Sequence, residues 1–253
     1  MVKAMCNWRA GEFFGKKTEA LRSEFFAAGN PELAAQFAWR DARLSHIKNG
    51  IYGEMFCAAM LAAAFVLDDP LPIVEAGLAE IPHTSRLHAE MQQVIAICRN
   101  HSDGGIGVPP VQSKRKSTGG TPVPPTLLPF ENVLNEICTL LGHYHPVHTN
   151  HNAALVIAAL LLGRHDFEKI ITLAVMGGWD SDCNGATAGS IAGAMLGKEK
   201  LPTKWTAPLH DTLNSQIINY HPIPITECAR RSLEITKMVR EKDTLKKVER
   251  FRD

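Results

Sequence analysis

Glycine recurs at every fourth position from Gly185 through Gly189 and Gly193 to Gly197. On an α-helix this spacing lines one face with a bare stripe, and a bare stripe lets a second helix come very close. Each glycine costs a helix roughly 1 kcal/mol relative to alanine, so the pattern makes sense only if close packing or backbone access offsets that cost. A chain carrying such a helix is constrained to pack helices on helices. The other local signals agree. No set of alternating Val, Ile, Thr and aromatic runs bounded by turns marks out a sheet. Asn30-Pro31-Glu32-Leu33 reads as a helix start, with Asn as cap, Pro at the first helical position and Glu in the first turn.

The expected fold class is all-α, a compact multi-helix domain over residues 1–253. Helices are expected from Pro31 past Ala42 towards Ser45-His46, over 52–66, after Pro72, and from Thr84-Ser85. Further helices are expected over 131–141, 151–162, 167–176, 181–196, 208–218 and 225–240. The 52–66 segment is apolar all round, as a central core helix is. One segment breaks the pattern. About 104–129 is Gly, Pro, Ser, Thr and Lys, with Val-Pro-Pro at Val108 and again at Val123. It holds too little apolar surface to offset its ordering entropy and reads as a disordered insertion between two helices.

Composition excludes several classes. A net charge of +1 gives no electrostatic reason for a nucleic-acid partner or an acidic membrane surface. The six cysteines include no Cys-x-x-Cys pair, which reads as reduced, mostly buried thiols. Residues 1–10 carry Lys3 and Arg9 and no apolar run, so no secretory pattern is expected, and the longest apolar run, 58–67, is too short for a bilayer. A cytoplasmic protein is expected.

Chemistry concentrates in Gly177-Gly178-Trp179-Asp180-Ser181-Asp182-Cys183. Two carboxylates two residues apart, where a loop becomes a helix, offer up to four oxygens to a hard divalent cation. The alternative is that both cap the helix by accepting backbone N–H bonds. The spelling also resembles the start of an EF-hand loop, but the acid such a loop needs at its twelfth position is Ile191 here. Four imidazoles fall in nine residues, His143, His145, His148 and His151, with Pro146 interrupting them. That stretch reads as a polar loop presenting one His and one Asn rather than a zinc site. Ser45-His46, at a helix end before Asn49-Gly50 and Glu54, reads equally as a hydroxyl and an imidazole facing a pocket or as a capped helix end and a turn.

In order and spacing these pieces resemble the ADP-ribosylglycohydrolase family, which includes the dinitrogenase-reductase-activating glycohydrolase. The family's late motif is a Gly-Asp-Thr-Asp-Thr-like element opening a Gly/Ala-rich helix. Gly178-Trp179-Asp180-Ser181-Asp182-Cys183, followed by Ala186 to Ala194, looks like it. Gly29 to Ala34, Ser45-His46 with the Ala-rich segment 54–65, His148 to Ala154, and Gly163 to Phe167 resemble earlier parts. The resemblance implies an all-α protein that holds two Mg²⁺ or Mn²⁺ ions and cleaves the glycosidic bond of an ADP-ribosyl group. It implies metal ligation by Asp180 and Asp182. Cys183 would be the third contact, where many members have Thr or Ser, and a thiol is a poor ligand for Mg²⁺. It places Ser45, His46, His148, Asn152, Gly178 and Trp179 on the substrate side.

Members usually carry a Thr-Asp-Asp-Thr-like motif early in the chain. Residues 1–60 hold no Asp-Asp pair, and Asp68-Asp69 comes after Ser45-His46 rather than before it. The chain is therefore expected to correspond to the C-terminal two thirds of a member. Fewer ions than two would then bind, and the surface left bare predicts either a partner chain that covers it or poor solubility. The leading expectation is a metal-dependent hydrolase of an ADP-ribosyl bond, impaired by that missing half-site. The alternatives are a non-catalytic ADP-ribose or nucleotide binder and an inactive family fragment.

Overall fold

A computed structural model of the protein describes residues 27–102, 128–215 and 219–250. Among these residues the chain is helical almost throughout. In order the helices are α1 (Pro31–Ala42), α2 (Asn49–Ala64), α3 (Pro70–Ala79), α4 (Arg86–Ser102), α5 (Leu128–Leu141), α6 (Thr149–Gly163), α7 (Phe167–Met176) and α8 (Ser181–Leu196). A short α9 (Thr203–Thr206), a two-residue hairpin of β1 (Thr212–Leu213) with β2 (Ile223–Pro224), and α10 (Ile225–Arg250) complete the described part. The all-α expectation holds.

Helix starts follow capping chemistry. Asn30 Oδ1 accepts from Leu33 N at 3.1 Å, and Pro31 follows at the first helical position. Asp69 caps α3 through Leu71 N at 2.9 Å, and Asp166 caps α7 through Lys169 N at 3.0 Å. Each cap satisfies one of the N–H groups that the first turn leaves without a partner.

The core is built around two helices that are apolar all round. In α6 every residue from Ala153 to Leu160 is fully buried, and α2 is buried from Phe56 to Ala64. Helix α6 packs against α2, α3, α4, α5, α7 and α8, while α2 also receives α1 and α8. Burying each large side chain at these contacts contributes about 1.5–3 kcal/mol. Helix α8 thus lies on the two central helices, and its first turn is fixed relative to both.

The glycine stripe divides in two. A Cβ on Gly185 would lie 2.9 Å from Val175 Cγ2, and one on Gly189 would lie 2.7 Å from Ile171 Cδ1. These two glycines let α7 approach. Gly193 faces open space, and Gly197 ends the helix at φ +71°. Glycine takes this positive φ without steric cost, which a residue with a side chain would not.

Three expectations need correction. Helix α1 ends at Ala42, whose carbonyl then accepts from both Ser45 N and His46 N in a turn. The expected helix over 208–218 is absent from its described residues. His210 and Asp211 adopt φ +46° and +51°, a conformation closed to right-handed helix, and β1 pairs antiparallel with β2. Third, α10 runs on to Arg250, past the expected end at residue 240. Of the expected insertion over 104–129, residues up to 127 lie outside the described residues, and α5 begins at Leu128. No described helix is long and apolar enough to cross a membrane.

Candidate functional site

The α7–α8 junction gathers the acidic residues. Gly177 ends α7, and a Cβ there would meet Leu155 Cδ2 of α6 at 2.8 Å, so the loop lies directly on the central helix. Gly178 and Trp179 then take φ +79° and +55°. Glycine adopts that conformation freely, whereas for tryptophan it is strained by about 1–3 kcal/mol and persists only where the surroundings enforce it. The His151 ring of α6 lies beside the Trp179 ring.

Ligating atoms of Asp180, Asp182 and Cys183 all lie within 4.8 Å of one another. Among the described residues this is the one group of three or more His, Cys, Asp or Glu side chains disposed to hold an ion. Asp182 is exposed, Asp180 half-buried and Cys183 buried. Asp180 is the N-cap of α8, yet its side chain makes no cap hydrogen bond. The capping alternative therefore does not account for Asp180, and its carboxylate oxygens are left to other partners. Two carboxylates this close suit a divalent cation of the hard class, and the thiol beside them suits a softer one. Ile191, where an EF-hand would carry its last acid, is fully buried in α8.

A hydrogen-bond network holds this junction to α6. Asn152 Oδ1 accepts from Asp180 N at 3.3 Å and from Asn184 Nδ2 at 2.9 Å. Asn152 Nδ2 donates to Pro146 O at 2.8 Å and to His148 O at 3.0 Å. Asn152 is only 1% exposed, and both ends of its amide are engaged within the protein. His148 caps α6, its Nδ1 accepting from Asn150 N at 3.2 Å, and its ring stacks on Tyr144 at 4.1 Å. Burial holds the His148 imidazole below the ordinary histidine range, with Glu90 pulling it back up. Glu90, from α4, anchors the outer side. It accepts from Tyr144 OH at 2.7 Å and from Asn150 Nδ2 at 2.5 Å.

His151 is 2% exposed. Burial pushes its pKa down to about 4 against a hydrogen bond to the His145 backbone that raises it, with His148 and His143 lowering it further, so the ring is neutral at physiological pH.

The structure therefore brings Gly178, Trp179, Asp180, Asp182, Cys183, Asn152 and His148 to one place. Ser45 and His46 form a pair of their own, with Ser45 Oγ and His46 Nδ1 2.7 Å apart on the α1–α2 turn. Gly50 makes room for this ring, since a Cβ there would lie 3.0 Å from His46 Cδ2. Burial lowers the His46 pKa, and Asp41 opposes the shift. Glu90 and Asn184 escaped the sequence reading. Asn184 had a usable signal, a polar residue in the first turn of a helix otherwise made of small and apolar residues. Glu90 had none, because its partners lie 54 and 60 residues away.

A family model described as ADP-ribosylglycohydrolase matches residues 10–238. No curated protein and no solved structure matches the chain significantly. The match covers nearly the whole chain, and the chain belongs to that family.

Proposed function

We propose that this member of the ADP-ribosylglycohydrolase family hydrolyses the glycosidic bond of an ADP-ribosyl group, with a divalent cation, Mg²⁺ or Mn²⁺, held by Asp180 and Asp182. One observation carries the reading: Asp180 sits at the N-cap of α8 without capping it, beside Asp182 and Cys183. An aspartate at that position ordinarily bonds its own helix, as Asp69 and Asp166 do here.

When bound, the cation supplies Lewis acidity and positive charge next to the ribose. The remaining tasks fall to this chain's side chains. Asp180 and Asp182 provide anionic oxygens, and the N-terminus of α8 adds its own positive pole nearby. His46, with Nδ1 tied to Ser45 Oγ, directs Nε2 away from that bond and orients the substrate. Cys183 Sγ favours Mn²⁺ over Mg²⁺, being a softer donor than the hydroxyl found in many members.

A second reading is a protein that binds ADP-ribose without hydrolysing it. It is favoured by the donor set: two carboxylates and a thiol are fewer hard oxygens than two dications need. Incubating the full chain with ADP-ribosylated arginine and Mn²⁺, and following released ADP-ribose by chromatography, separates the two. Release that disappears in Asp180→Ala supports hydrolysis. Manganese-dependent ADP-ribose binding without release supports the binder. Release unaffected by Asp180→Ala sinks both metal roles.

A further inference from the structure

The backbone at the head of α8 is held from outside the helix. Asp180 N donates to Asn152 Oδ1, a residue 28 positions earlier in the chain and on the central helix α6. The same oxygen accepts from Asn184 Nδ2, so one atom of α6 grips both the cap residue and the first turn of α8. The other end of the Asn152 amide is fixed by the carbonyls of Pro146 and His148. All four hydrogen bonds converge on a side chain shut away from solvent. Only a primary amide fits this place. A carboxylate would turn an acceptor towards two carbonyls, and an apolar side chain would leave buried donors and acceptors unmatched.

The backbone leading into the grip is strained at Trp179, and the strain sits one residue before the candidate ligand. Asp180 N is held by Asn152, and the Asp180 carboxylate makes no hydrogen bond back to its own helix.

We propose that Asn152 is a positioning residue: by accepting the Asp180 N–H it aims the Asp180 carboxylate outward, towards Asp182 and Cys183, and so presets the cation site. This rests on the reading that Asp180 holds a cation. Groups that orient metal ligands from behind change affinity by about 10–100-fold when they are removed.

The test is calorimetric titration of Mn²⁺ into the metal-free full chain, alone and as Asp180→Ala and Asn152→Ala, with melting temperatures measured alongside. The expected result is Mn²⁺ uptake by the parent, none by Asp180→Ala, and affinity lowered about 10–100-fold in a folded Asn152→Ala. A folded Asn152→Ala that melts lower but binds Mn²⁺ as tightly as the parent has lost only stability, and that outcome overturns the inference while the cation reading stands. A parent that takes up no Mn²⁺, or an Asp180→Ala chain that still does, overturns the cation reading and this inference with it. Should Asn152→Ala not fold, amide exchange in the metal-free parent decides. The Asp180 amide should exchange as slowly as core amides. Exchange at the rate of an open N-cap amide overturns the proposal.

Discussion

Helices α7 and α8 both begin with an aspartate, and the two aspartates are used in opposite ways. Asp166 turns its carboxylate onto its own helix and bonds Lys169 N. Asp180 leaves its helix uncapped and has its backbone held by Asn152 of another helix. The approach to each is also different. The α6–α7 turn is clasped by His165, whose Nε2 lies 2.6 Å from Asp68 O, whereas the α7–α8 turn carries a strained Trp179 wedged against His151. The difference teaches that an acid at a helix start is open to a ligand only where it does not bond its own first turn. The first junction turns its carboxylate onto its own helix. The second gives up a local bond and recovers order from the core.

The comparison can be broken most severely by exchanging the roles. Asp180→Ala should abolish Mn²⁺ uptake in calorimetry while leaving the melting temperature nearly unchanged, because no cap bond is lost. A melting temperature that falls as for a lost cap would mean that Asp180 caps α8 in solution.

Acid sharpens the contrast next. The His151 pKa in the folded protein, about 4, lies below its ordinary 6.5. The unfolded chain therefore takes up this proton first as pH falls. The His151 contribution to stability is complete above about pH 6.5 and is lost as pH falls towards 4. In His151→Phe the fall in melting temperature over that window should shrink. An identical pH profile for parent and variant would show that the ring is not buried neutral.

Asp166→Ala comes third. It should cost about 1 kcal/mol, the usual value of an aspartate cap, with Mn²⁺ affinity unaltered. Reduced Mn²⁺ affinity in that variant would show that the two junctions are coupled through α7. The smallest effect belongs to the glycine stripe. Gly193→Ala faces open space and should stabilise the protein by up to about 1 kcal/mol in thermal unfolding. Gly185→Leu meets Val175 and should destabilise it by about 1–3 kcal/mol. The same sign at both positions would contradict the divided stripe.

Much of this was legible in the chain itself. Helices α7 and α8 begin and end where the pattern puts them, with Asp166 capping the first turn of α7 and a glycine following the end of each helix. The segment 208–218 was misread because Pro208 and the apolar residues after it look helical, while the governing contacts are distant. Asp211 accepts from Thr226 N at 2.9 Å and from Thr226 Oγ1 at 2.6 Å, which caps α10 instead of continuing a helix. The acidic pair was visible as a pair. Its grip by Asn152 was not, since the two ends of that bond lie 28 residues apart.

The sequence by itself determined the all-helical architecture, the position of most helix ends and the presence of two carboxylates at the head of a glycine-rich helix. These follow from interactions within a turn or two, where spacing alone fixes which groups can meet. Only the tertiary structure decided that Asp166 caps and Asp180 does not, that half of the glycine stripe is packed, and that Asn152 is turned inward. A side chain bonded to its own first turn and a backbone N–H held by a neighbouring helix both order a helix start, and which of them forms depends on the partners that the packed core brings within hydrogen-bond distance.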